Sequence, residues 1–224
     1  MAAIDKSLYE KFIIESVDGQ KTADISAGVV SFNYYENLFS PMVTGKVVVV
    51  NTGNTIRGDD GKMQSLYNGF PLRGGERVVI KIAGNSPTNK GLDFSDSPSK
   101  YLYVGSITNV LIKEEKETFT LNLVSREAIT NETVRVGKRF PSSQKISDSV
   151  KNIVEKYLSS NKLYDIDETQ NPYGFIGNMK KPFTILTWLA SKSVPASASN
   201  QDSTAGYFFF ETQKGFRYLS LIHI

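Results

Sequence analysis

Residues Leu123–Ser143, LVSREAITNETVRVGKRFPSS, decide the fold, because two hydrophobic periods meet across them. Upstream, Phe119, Leu121 and Leu123 alternate with Thr118, Thr120 and Asn122, the period of a strand with one buried face. Downstream, Ile146, Val150, Ile153, Val154, Tyr157 and Leu158 recur at helical spacing, with Ser142 or Ser143 placed to cap the first turn. The stretch itself carries Arg126, Arg135, Lys138 and Arg139, mixed with Glu127 and Glu132. Phosphate binding favours an unbroken basic face. The mixture therefore reads as a seam between an all-β unit and a helix-containing unit, with the four basic residues expected to pair with carboxylates or carbonyls there or to line the protein's surface, without binding nucleic acid specifically.

Working back from this stretch, the chain reads as strands. YEKFIIESV (Tyr9–Val17) runs into Asp18-Gly19, a turn pair that tolerates positive φ, and a return strand is expected over Ala23 to Tyr35. VTGKVVVVN (Val43–Asn51) is β-branched and nearly continuous, which predicts burial on both faces. A glycine-rich connection over residues 53–76, with one helical turn near Leu66-Tyr67, precedes the strand RVVIKIA (Arg77–Ala83). A polar loop over 84–100 leads to the hairpin YLYVGSITNVLI and TFTLNLVS, which flank KEEKE. About six strands with short connections predict an antiparallel β-barrel or sandwich, with no helix beyond three turns inside 8–52 or 77–125.

Working forward, the helical period predicts a first helix over 144–159. A second is predicted over 183–193, starting at Pro182, whose fixed φ suits the first helical position. Phe183, Leu186, Leu189 and Ala190 form its stripe, and Trp188 is read as a core anchor of the same helix. After PASASNQDSTAG, the runs YFFFET and FRYLS read as a hairpin turning at Gln213-Lys214-Gly215. The expected fold class is β-rich α+β. An antiparallel β-barrel domain occupies 1–127, and a smaller α/β domain with two main helices occupies 128–224.

Composition removes several chemistries. Twenty-six basic against twenty-three acidic residues, well interspersed, leave a net charge of only +3, too weak to imply nucleic acid. No cysteine is present, which excludes disulfides, thiolate metal sites and cysteine nucleophiles. The single histidine, His223, stands at the C-terminus, a poor support for a triad or a metal cluster. The N-terminus has no basic region followed by an apolar stretch, and no apolar run approaches the ~20 residues of a membrane-spanning helix.

Motif tests fail on specific residues. Gly53 and Gly58 have phosphate-loop spacing, but Asp59-Asp60 stand where lysine and a hydroxyl are needed. DIDETQNPYGFI begins like a calcium loop at Asp165 and Asp167, but Thr169 and Asn171 are weak ligands and Ile176 replaces the bidentate glutamate. Glu114, Glu115 and Glu117, flanked by lysines at a hairpin tip, read as a solvated turn, not an acid–base pair. The aromatics follow strand and helix periods and form no exposed row with basic neighbours. No catalytic, cofactor-binding or metal-binding set is expected.

Five stretches together point to a family. SPMVTGKVVVVNTGN, GFPLRGGERVVIKI, FTLNLVSREAITNETVRVGKRF, ISDSVKNIVEKYL and KPFTILTWLASKSV…GYFFFET resemble, in that order, baseplate hub proteins of contractile-tailed phages, above all the T-even-like hubs of marine phages. The resemblance spans about residues 8–218. It implies a virion protein of the tail baseplate, assembled in the host cytoplasm: a homotrimer at full length that joins the tail tube protein to the central spike protein. It implies no enzymatic activity, cofactor or specific nucleic-acid binding. Residues 1–127 would match the first of two tube-type β-barrels, and 128–224 an incomplete middle domain. The second barrel is missing, and the ending SLIHI resembles translated adapter sequence, so a truncated reading frame is expected and His223 would not be native. The alternative reading is a stand-alone module binding glycan or a cell surface through loops 53–76 and 84–100, where Tyr67, Phe70 and Phe94 are the aromatic candidates.

Overall fold

The alternating run before Ser125 becomes a central strand with Phe119, Leu121 and Leu123 fully buried. The computed structural model describes residues 7–57, 61–70, 72–86, 88–114, 116–196 and 206–221; Asp59, Asp60, Glu115 and His223 lie outside them. The chain divides into two compact units. One holds residues up to Tyr35 with Thr44–Arg126, and the other holds Glu36–Val43 with the chain from Glu127 onward.

The first unit contains β1 (Leu8–Glu15), β2 (Thr22–Asp24), β3 (Val29–Tyr35), β4 (Thr44–Thr52), β5 (Ile56–Arg57), β6 (Met63–Gln64), α1 (Leu66–Gly69), β7 (Arg77–Ala83), β8 (Gly91–Asp93), β9 (Leu102–Lys113) and β10 (Lys116–Ser125). Eight strands form one antiparallel sheet in the order β2-β1-β7-β9-β10-β4-β3, with β8 on β7, while β5 and β6 make a separate small ladder. The expected both-sided burial of β4 is corrected. Val47 and Val49 are buried while Val48 and Val50 are half-buried, because the strand covers its core with one face only.

The expected strand over Ala23 to Tyr35 is also corrected: it splits at Ile25. A 3-10 turn at Ser26–Gly28 carries the chain from β2, one end of the sheet, to β3, the other end. Ser26 fixes the crossing. Its oxygen accepts the Phe12 N–H at 2.9 Å, and its own N–H and hydroxyl donate to Asp24 Oδ1 at 2.9 and 2.6 Å. A Cβ at Gly28 would lie 2.5 Å from the Val50 carbonyl oxygen, so only glycine allows this approach. The sheet is thereby rolled, and Phe12 meets Phe32 edge to face at 5.5 Å. No ladder joins β2 to β3 among the described residues.

In the second unit stand α2 (Arg126–Thr133, beginning at the boundary), β11 (Arg139–Phe140), α3 (Ile146–Lys156), β12 (Leu163–Ile166), β13 (Phe175–Ile176), α4 (Pro182–Ala190), β14 (Tyr207–Thr212) and β15 (Gly215–Ser220). β15 pairs antiparallel with β14 and parallel with β12; β11 pairs with β13. Ile146, Val150, Ile153, Val154, Leu158, Leu186, Leu189 and Phe216 fill the core. Glu36–Val43 is tied into this unit, which the boundary expected near 127 does not provide for. The Val43 N–H donates to Glu211 at 3.1 Å, the Gln213 N–H to Glu36 at 2.6 Å, and Phe39 meets Phe208 at 5.4 Å.

Both main helices are capped by other segments. α3 starts after Lys145, so neither Ser142 nor Ser143 caps it; the Ser147 N–H donates to the buried Thr169 hydroxyl at 3.0 Å. In α4, the Phe183 N–H donates to the buried Asn131 side chain at 2.8 Å. These contacts satisfy donors that a helix start leaves open. No described helix is long and apolar enough to cross a membrane.

Candidate functional site

The calcium-like residues are used by the fold. Asp167 accepts from the Ser220 N–H and hydroxyl at 2.8 and 2.9 Å, Asn171 accepts the Val194 N–H at 2.9 Å, and Thr169 caps α3. Among the described residues, no group of three acidic, histidine or cysteine side chains could hold a metal. The loop aromatics give no glycan platform: Phe70 and Phe94 are buried, and half-buried Tyr67 lies 5.9 Å from the Phe119 ring.

The four seam candidates take local positions. Arg126 is half-buried at the head of α2, while Arg135, Lys138 and Arg139 are exposed. Arg135 donates to the Glu132 and Val134 carbonyls at 2.9 and 2.8 Å, closing the C-terminal end of α2. Lys138 sits 5.5 Å over the Phe140 ring, and Arg139 faces Ile176 across the β11–β13 ladder. Glu132 pairs with Lys181.

Glu127, one of the mixed charges of the seam stretch, is fully buried. It accepts from Ser160 at 2.7 Å and pairs with Lys162 at 2.9 Å, and Lys162 also reaches buried Glu211 at 3.7 Å. Burial pushes the Glu127 carboxyl up, but the charge and hydrogen bond of Lys162, with the Ser160 hydroxyl, outweigh it and hold the group below its ordinary range. The Lys162 carbonyl accepts the Phe216 N–H at 2.7 Å, and a Cβ at Gly215 would stand 2.1 Å from that oxygen. This cluster braces the second unit.

Each unit also leaves large apolar side chains exposed. In the second, Phe140 stacks on Phe175 at 4.4 Å, and Trp188 meets Phe175 and Tyr173 edge to face at 5.7 and 5.6 Å. Trp188 is 39% exposed, which corrects its reading as a core anchor. The buried side of α4 is taken by Pro182, Phe183, Ile185, Leu186, Leu189 and Ala190, and position 188 falls off that stripe. Lys138 lies over the Phe140 ring, whereas exposed Ile176 and Arg139 stand opposite each other one residue along the β11–β13 ladder, where strand alternation turns them to the other face.

In the first unit, the exposed feature is the far end of the β9–β10 hairpin. Register shifts at Gly105 and near Asn109, whose φ is 53°, re-aim β9 after Val104. Leu111 is 70% exposed as a result, and Ile112 is exposed beside it. The turn is tight, joining Lys113 to Lys116 through Glu114 at φ 54°. Glu117 is not part of a solvated turn, as expected from sequence; it is 2% exposed.

Solved structures share the fold of this chain. Its fold is similar to that of phage tail proteins. The 43 kDa tail protein of prophage MuSo2 from Shewanella oneidensis matches 93% of the chain with a TM-score of 0.58 at 12% identity. The tail protein from Neisseria meningitidis matches 93% with a TM-score of 0.53 at 10% identity. An Escherichia coli component of the type VI secretion system, described as structurally similar to the T4 bacteriophage tail proteins gp27 and gp5, matches 96% with a TM-score of 0.50 at 8% identity. The chain spans about half the length of these proteins: 54%, 49% and 48%. No family model matches it, and no curated protein sequence does.

Proposed function

We propose that the chain is a non-enzymatic structural component of a phage tail baseplate, of the T-even-like hub type that joins tail tube to spike. The observation that carries this reading is a fold shared with tail proteins across both units, over at least 93% of the chain. Residues 1–127 act as a tube-type domain and 128–224 as part of a middle domain, with Arg126, Arg135, Lys138 and Arg139 at or near their seam. Tube contact has a physical basis in the first unit: β2 and β3 end the sheet, and an unpaired strand edge can be continued by a neighbour's strand. The proposed partners are further copies in a trimeric ring, a tail tube protein and a spike protein, within the virion after assembly in the host cytoplasm. The reading includes no specific nucleic-acid binding.

The test is coexpression of the full-length protein with candidate tube and spike proteins, followed by electron microscopy. Rings of that protein at tube ends support the reading. Tubes and spikes that assemble and purify without it overturn it.

A further inference from the structure

Among the described residues of the first unit, Glu117 is bound through only one of its two carboxylate oxygens. Glu117 Oε1 accepts from Asn51 Nδ2 at 2.9 Å and from the Tyr67 N–H at 3.0 Å. Its Oε2 is buried and has no hydrogen-bond partner, and the Ser65 hydroxyl is in the same condition. Both residues line a hollow of about 360 Å³ beside the β9–β10 turn, together with Met63, Ile112 and Lys116. A carboxylate oxygen taken from water without a donor is costly.

The chemistry of the lining selects what could offset that cost. A divalent cation takes about six oxygen ligands or more, whereas the described residues include no group of three acidic side chains suited to a metal. Met63 and Ile112 are both exposed and supply an aliphatic wall. An apolar wall above a buried carboxylate suits a side chain that is aliphatic along its stem and cationic at its head.

We infer that this hollow receives a lysine or arginine side chain of a partner protein, with the head on Glu117 Oε2 and the stem along Met63 and Ile112. That the partner is a tail component rests on the function proposed above; the chemistry of the hollow does not. Burial also makes Glu117 a selective reader, because a neutral side chain of the same length would leave Oε2 unpaired.

The probe is n-butylguanidinium, titrated into the 224-residue chain carrying labelled methyl groups on Met63 and Ile112. Saturable shifts of both methyls, with a dissociation constant on the order of millimolar, are expected for so small a ligand. Butanol should not reproduce them. Glu117→Gln should weaken binding about tenfold or more while leaving the unfolding midpoint unchanged or higher, since a neutral amide replaces an unpaired anion. Met63→Ser, at the exposed rim, should weaken binding several-fold and remains measurable should the Gln variant not fold. Unchanged affinity in both variants overturns the inference. So do equal shifts with butanol, or saturable binding of calcium with none of butylguanidinium. Binding of butylguanidinium by a chain that fails to join tubes and spikes would overturn the proposed function and leave the site standing.

Discussion

At the residue scale, the second unit depends on charges that no local pattern announces. Glu127 lies in a stretch of mixed charges with nothing local to mark it as buried, and its partner Lys162 is thirty-five residues away. Burial of that kind is decided by tertiary partners, and spacing within REAITNET does not show it. Replacing Lys162 with Met would remove a cation held between the buried Glu127 and Glu211, and should cost roughly 3–5 kcal/mol. A leftward shift of the urea midpoint of the second unit measures it. Because the folded Glu127 carboxyl titrates below its unfolded value, its contribution is present above the ordinary glutamate range and is lost as pH falls through the folded value. Glu127→Gln should therefore flatten the acid side of the stability curve. Asn131 offers a second test. Its side chain caps α4 from α2, so Asn131→Ala should cost about 1–2 kcal/mol, read as a lower thermal midpoint by circular dichroism.

At the scale of elements, period carried the sequence reading where side chains face one core. α3 and α4 lie inside or beside their expected ranges, with Pro182 in the first turn, and the β9–β10 hairpin forms where alternation places it. Extending that alternation by one step, Glu117 falls in phase with Phe119, so its burial was readable but hidden by the lysines around it. α2 was not readable: in REAITNET only Ala128 and Ile129 are apolar, and Ile129 is exposed. Nor was the break between β2 and β3, because the residues that enforce it, Phe12 and Val50, are distant in sequence. That crossing makes a sharp prediction. Gly28→Ala puts a methyl against the Val50 carbonyl oxygen, which belongs to backbone and yields only by moving β4. A loss of about 1–3 kcal/mol is expected for such overpacking. Denaturation followed by tyrosine fluorescence should show it in the first unit, and an unchanged midpoint would mean that the crossing is loose.

At the scale of the whole molecule, the number of sheets bears on assembly. The described residues contain one large rolled sheet, in a chain about half the length of the tail proteins it matches. In the proposed hub, a ring subunit presents two tube-type sheets, so that three subunits offer six similar surfaces to the tube. A subunit with one sheet offers half of those contacts and leaves the edges β2 and β3 open. Obligate interfaces commonly bury more than ~2,000 Å², and halving such a contact can carry assembly out of the working concentration range. The 224-residue chain alone should therefore be monomeric at low concentration and associate through its edges as concentration rises. A chain that also carries a second tube-type sheet should give a defined trimer. Light scattering across a hundredfold dilution separates the two, and a trimer of the shorter chain that survives dilution would show that one sheet per subunit is enough to close the ring.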